Sequence, residues 1–200
     1  HASKRELEQR GHVGALSWIE KFENLVEGGK TVPEKLKRAG RYWYEMDDAT
    51  KADMVTAVNP GKRLFVSKFA ERTFVDQRFT RLLFKREDIS SDLIHALLNS
   101  IYGMFVIEAL GFGRGLGVLD ASSTKFKRVY MIDPKKISKD DEAEIICLFE
   151  NVKKRNVMNV EDELRDIDRE MFDRKVLQAI GHEELYDPIR KSLLSLQHTR

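Results

Sequence analysis

The apolar positions of this 200-residue chain change their period from one stretch to the next, and each change predicts an element. Up to about Val26, the spacing of Leu16, Ile19, Phe22, Leu25 and Val26 predicts a helix that Gly28-Gly29 ends. Pro33 suits a first helical turn, so residues 33–39 read as a short helix closed by Gly40. From Met54 to Arg86 the period falls to two. MVTAV, RLFVSKF and RFTRLLF read as strands separated by NPGK and AERTFVDQ, with basic side chains on one face and apolar ones on the other. From Leu93 to Leu110 nearly every position is apolar. Ser90 or Ser91 caps this helix, Asp92 meets its positive end and Gly111 is the expected C-cap. His95, Asn99 and Glu108 interrupt it, which argues against a membrane span and for a buried helix.

After Gly117, KRVYMID reads as a strand that Asp133-Pro134 breaks. DDEAEIICLFENVKKR then predicts an amphipathic helix with Ile145, Ile146, Leu148 and Phe149 inward. Val160, Leu164, Ile167 and Met171 recur at helical spacing, as do Tyr186, Ile189, Leu193 and Leu196, and Gly181 separates the two runs. The expected fold is α+β: a small mixed or antiparallel sheet packed on a long buried helix, with a C-terminal helical hairpin. Its expected divisions are an N-terminal helical segment (1–40), an α+β core (41–138) and a C-terminal helical bundle (139–200).

Composition, 42% hydrophobic and 34% charged, is that of a globular chain and excludes disorder over most of it. The lone Cys147 can form no internal disulfide; it reads as a small buried hydrophobe in a reducing, cytoplasmic compartment. A start at His1 without methionine reads as an artificial boundary or as a cut from a longer polypeptide. Charge is uneven although the total is only +2. Residues 59–139 carry 15 Lys and Arg against 8 Asp and Glu, and residues 140–200 carry 10 against 15. The middle is therefore basic and the end acidic, a pattern that a polyanion partner explains and that a solvated face explains as readily.

GFGRGLG, at Gly111, Gly113, Gly115 and Gly117, invites a nucleotide-binding reading. That fingerprint needs a strand before it and a helix N-terminus after it to supply N–H groups to phosphate; here a helix precedes and the spacing differs. A loop that presents Arg114 at its tip, or a simple helix exit, both remain. The five histidines are scattered, no Cys/His spacing suits zinc, and there is no nucleophile elbow or P-loop, so the chain itself reads as no enzyme. His95 and Asn99, one helical turn apart, read as satisfied core polar groups. Arg41-Tyr42-Trp43-Tyr44 fits base stacking beside a cation and fits core packing equally.

Four stretches, in order, resemble the C-terminal part of adenine-specific DNA methyltransferases of restriction-modification systems. They are RYWYEM with NPGKRLFVSKFAERTFVDQRFTRLLF; LIHALLNSIYGMFVIEALGFGRGLGVLDASSTKFKRVYMIDP; the acidic-start helix after Pro134; and LRDIDREMFDRKVLQAIGHEELYDPIRKSLLSLQHTR. The likeness covers about residues 41–200. The family's FxGxG cofactor motif and its Asn/Asp-Pro-Pro-aromatic motif have no counterpart; Asn59-Pro60-Gly61-Lys62 replaces the second proline and the aromatic with Gly and Lys. The resemblance therefore implies a target-recognition region. Its partners would be double-stranded DNA and an N-terminal methyltransferase domain in cis, with no membrane. S-adenosylmethionine would belong to the parent enzyme, fused or not to a nuclease, and no cofactor or metal to this region.

Such enzymes extrude an adenine, which requires a second body to grip the duplex. On that reading Arg72, Arg78, Arg81, Arg114, Lys125, Lys127 and Arg128 are the expected DNA contacts, with Lys62 and Arg63 next. Ser122, Ser123 and Thr124 would donate to phosphates. The alternative is a protein–protein interaction or structural domain without DNA contact. A self-contained nuclease ranks last, because the acids of the middle segment are few and separated.

Overall fold

The computed structural model describes the chain apart from His1, Arg38, Gly111, residues 115–117 and Arg200; at Asp48, Leu110, Phe112–Arg114, Val118 and Asp120 it describes the backbone alone. The chain divides into two compact units, His1–Ala49 and Thr50–Arg200.

The first unit is α1 (Lys4–Gln9), α2 (Val13–Glu23), the two-residue strands β1 (Val26–Glu27) and β2 (Lys30–Thr31), and α3 (Val32–Lys35). Ser3 and Thr31 open α1 and α3 with reciprocal capping boxes to Glu6 and Glu34. Helix α2 stops before Leu25 and Val26, contrary to the periodicity. Gly28 and Gly29 both have positive φ (60° and 77°) and turn β1 back onto β2, so the glycine pair makes a hairpin rather than a helix stop. Arg41–Met46 forms no strand; Trp43 stacks on Trp18 (centroids 5.8 Å apart) and Tyr42 on Tyr44 (5.3 Å).

The second unit opens with β3 (Lys51–Ala57), β4 (Ser67–Phe74) and β5 (Phe79–Leu82), an antiparallel sheet in the order β4-β3-β5. Met54 on β3 packs into the main core with Leu64, Val66 and residues of the helices that follow. Ala52 and Val55 form a smaller cluster with Val75 and Phe69. The face switch follows from a register shift between Ala52 and Met54 against β4.

The apolar rod expected over 91–110 is two helices, α4 (Ser91–Asn99) and α5 (Ile101–Leu110). Ser90 is the N-cap of α4, with Asp92 in its first turn. Ser100 is extended (φ −67°, ψ 165°); its hydroxyl donates to Leu97 O and accepts from Gly103 N. A Cβ on Gly103 would lie 2.4 Å from Leu98 O, so only glycine lets the first turn of α5 approach the end of α4 this closely. Backbone groups left open by the junction are taken from outside. Ile101 N donates to Asp173 Oδ1 at 2.7 Å, and Arg169 donates to Asn99 O. As expected, His95 and Asn99 are satisfied in the core: His95 Nε2–H and Asn99 Nδ2 both donate to Val66 O, and Asn99 Oδ1 accepts from Val66 N. Burial holds His95 below the usual histidine range, which keeps the ring neutral.

The glycine-rich stretch contributes a second antiparallel pair, β6 (Phe112–Arg114) and β7 (Val118–Asp120). The expected C-cap, Gly111, lies outside the described residues. KRVYMID is not a strand. A single turn, α6 (Ser123–Phe126), is followed by irregular chain, because Lys127 N and Arg128 N bond back to Ser123 O and Lys125 O instead of joining a ladder.

Helix α7 (Lys139–Lys153) buries Ile145, Phe149 and Val152 against Leu93, Ala96 and Leu97 of α4. Cys147 is exposed rather than buried, since it falls on the outer side of that same helix. The predicted stripe Val160, Leu164, Ile167, Met171 does not survive: Ile167 and Met171 are 67% and 51% exposed. Asp166 caps a new helix, so α8 (Val160–Glu163) and α9 (Ile167–Ala179) differ in phase, and α9 buries Phe172, Asp173, Val176 and Leu177 instead. Gly181 (φ 75°) then turns the chain into α10 (Tyr186–Thr199), which packs beside α5 with Tyr186 and Leu193 buried and Leu196 exposed. The architecture is α+β, with an antiparallel sheet on buried helices and a closing helical pair. Residues 139–200 share both large cores with the residues before them.

Candidate nucleic-acid interface

Strand β5 lies at the edge of its sheet, and its side chains alternate: Thr80 and Leu82 face inward across from Thr56 and Met54, while Phe79 and Arg81 face outward across from Ala57 and Val55. The end of β7 is tied to the same corner. Ala121 N donates to Val58 O (2.8 Å), Thr80 Oγ1 donates to Ala121 O (2.7 Å) and Asn59 Nδ2 donates to Leu119 O (2.8 Å). These three bonds set the course of the following segment, which runs through α6 and on to Met131 beside β5.

Between β5 and that segment is a cleft of about 330 Å³. Ile94 and Leu98 of α4 contribute to it from below, Leu82 and Leu83 from one wall, and Phe126 and Val129 from the other. Arg81 and Lys127 line it from the two walls. Arg78 directly precedes β5 and Arg128 follows Lys127; all four cations are exposed and form no ion pair among the described residues. Two of the expected DNA contacts, Arg81 and Lys127, thus line one largely apolar groove, and two more, Arg78 and Arg128, lie close to them in the chain.

The others fare differently. Arg72 is exposed, but both arms of its guanidinium bond Asp53 at 2.9 Å, and Asp53 also accepts from Phe84 N. The Arg72 bond holds the Asp53 carboxyl below its ordinary range. Lys62 and Arg63 are exposed and unpaired among the described residues, yet Lys62 belongs elsewhere: its carbonyl accepts from Val160 N (2.9 Å) and it lines a separate cleft with Asn159, Glu161, Leu194 and Gln197. Lys125, on α6, is half-buried and engaged in a contact. Arg114 ends β6, opposite Val118; its side chain lies outside the described residues. Ser122 caps α6, with Ser123 and Thr124 exposed beside it, and Ser123 lines the Arg81 cleft.

Sequence reasoning missed Leu83 and Met131, apolar residues at the groove that are 48% and 36% exposed, and Tyr130, which is 86% exposed. Reading 127–133 as a strand hid Met131, since alternation assigns Val129 and Met131 to a core face. Neighbouring acids are already neutralised: Arg86 and Lys135 hold the Asp88 carboxyl far below the usual range, and Lys68 lowers Asp92. Among the described residues no cluster of His, Cys, Asp and Glu could hold a metal ion, and no helix is long and apolar enough to cross a membrane. No protein-family model, curated protein or solved structure matches the chain.

Proposed function

We propose that the Thr50–Arg200 unit binds double-stranded DNA and supplies sequence specificity to an adenine-N6 DNA methyltransferase of a restriction-modification system, whose catalytic and S-adenosylmethionine-binding parts form a separate domain. The observation that carries the binding is the pair Arg81 and Lys127 lining one groove, with Arg78 and Arg128 near them in the chain, all four exposed and without ion-pair partners among the described residues. Unpaired cations keep their full charge for phosphate, whereas cations already bonded to carboxylates would have to give up one partner for another. The methyltransferase assignment is supported by the ordered likeness of residues 41–200.

Arg and Lys at a groove wall can also read guanine edges, and the apolar lining suits thymine methyl groups, so grip and readout fit one surface. An apolar groove edged by Leu83 and Met131 favours a second reading, a protein partner seated on β5 without DNA. Salt separates the two. Four phosphate contacts predict a slope of about −3.6 for log K against log salt, hence a loss of roughly a hundredfold between about 50 and 200 mM. Fluorescence anisotropy of labelled random-sequence duplexes measures it. Absence of duplex binding at low salt removes the DNA reading and leaves the protein partner.

A further inference from the structure

We infer that Tyr130 is a base-stacking residue: it inserts against a nucleobase face that becomes accessible where the bound duplex is opened. The inference rests on the DNA reading above and names a contact within it. Among the described residues Tyr130 is the most exposed of the large apolar or aromatic side chains, at 86%. The other described tyrosines are committed: Tyr42 and Tyr44 stack on each other, Tyr102 donates its hydroxyl to a backbone carbonyl, and Tyr186 is buried.

The backbone that carries Tyr130 is held on both sides. Phe126 packs against the main core, Val129 N bonds Phe126 O, Ile132 is buried, and Tyr102 Oη donates to Tyr130 O at 3.0 Å. The projecting ring is therefore presented by a fixed turn. Two and three residues before it in the chain stand Arg128 and Lys127, exposed and unpaired among the described residues, so cations that can hold phosphates are within three residues of an aromatic face. That combination is what stacking on a nucleic acid requires, and every base offers a π-face of the right kind.

In a closed duplex both faces of each base are covered by neighbours, so a side chain gains a stacking surface only at an opened step. Adenine methylation creates one, because the target must leave the stack before its amine can react. The gap so formed accepts an aromatic wedge, and filling it offsets part of the lost base stacking.

The test uses the whole chain and two labelled probes, a random-sequence duplex and the same duplex with one central mismatch that weakens a step. Wild type is expected to prefer the mismatched probe by about tenfold, within the range of a single base–aromatic stack. Tyr130→Phe should keep the preference. Tyr130→Ala should abolish it while binding the intact duplex as wild type does, with an unchanged thermal midpoint showing that the fold is intact. A preference retained in Tyr130→Ala, or absent from a wild type that binds intact duplex, overturns the stacking role and leaves the DNA reading standing. Failure of wild type to bind either probe overturns both.

Discussion

Residues 59–139 and 140–200 both carry many cations, and they spend them differently. In the acidic end, Lys153, Arg155, Arg165, Arg169, Arg174 and Lys175 each meet one or more carboxylates, and Arg190 donates to Leu164 O. In the basic middle, Lys62, Arg63, Arg78, Arg81, Lys85, Lys127, Arg128 and Lys136 meet none among the described residues. A surplus of carboxylates in one region and a deficit in the other makes this unavoidable as bookkeeping, but the folding adds something. The acidic helices bury part of their charge to hold the fold, while the basic segment leaves these eight cations exposed, although its Lys68, Arg72, Arg86, Lys135 and Lys139 are paired.

The buried part offers the largest effect. Asp173 accepts from Ile101 N at the α4–α5 junction and from Arg169 Nε at 2.9 Å, and Arg169 in turn caps Asn99 O. Asp173→Ala leaves a buried guanidinium and an open N–H, and is expected to cost about 3–5 kcal/mol in urea denaturation. A loss of under about 1 kcal/mol would show that these helices use their charges no more structurally than the surface does. The pH dependence gives a second readout. Burial pushes the Asp173 carboxyl up to about 6 against the pull of Arg169. Its folded-state value then exceeds its unfolded value of about 4, so between about 4 and 6 the folded protein holds a proton that the unfolded chain releases. Stability from this group therefore falls as pH rises through that window, and Asp173→Asn should remove that slope.

This junction also marks where the sequence stops being legible. The α+β class, the first and third strands of the sheet, the Ser90 cap, helix α7 and the Gly181 turn follow from local pattern, because period, cap chemistry and glycine placement act within a few residues, whereas β4 runs over Ser67–Phe74, into the AERTF expected as a turn, instead of over residues 63–69. The break at Ser100 does not. Leu-Leu-Asn-Ser carries no helix-breaking residue, and the extended Ser100 is stabilised by bonds from Asp173 and Arg169 to its two neighbours across 72 and 70 residues. The phase shift between α8 and α9 is a milder case: Asp166 is a legible cap, but an unbroken apolar stripe through Ile167 and Met171 masks it. At the groove, charge counts identified Arg81 and Lys127 as basic; that they line one cleft required the Ala121, Thr80 and Asn59 bonds between the sheet corner and β7. Arg72 shows the converse, since nothing in RLFVSKFAERTF reveals that Asp53 lies beside it.

The next effect in size falls on binding. Replacing Arg81 and Lys127 together with Ala should lower the salt slope of duplex binding by about 2 and leave the urea midpoint in place. Arg174→Ala, which removes a cation that bonds Glu170, should leave the slope unchanged. Equal losses of slope from both regions would mean that pairing within the fold does not decide which cations are available to DNA.

Arg72 gives the smallest effect and the closest test, because it sits in the basic segment yet is paired like the cations of the acidic helices. Its two bonds to Asp53 depress that carboxyl, so the sign is opposite to that at Asp173. A folded-state value below the unfolded one gives stability that is present above about pH 4 and lost as pH falls through the folded value. Arg72 is half exposed, so solvent screens the pair and the contribution is small. Arg72→Ala should flatten the acid limb of the stability profile slightly and leave the salt slope of DNA binding unchanged. If the slope instead drops by about 1, as for a free phosphate contact, then Arg72 exchanges Asp53 for DNA. Pairing seen without DNA would then be a resting arrangement, and the division between spent and available cations would run through the bound state rather than through the fold.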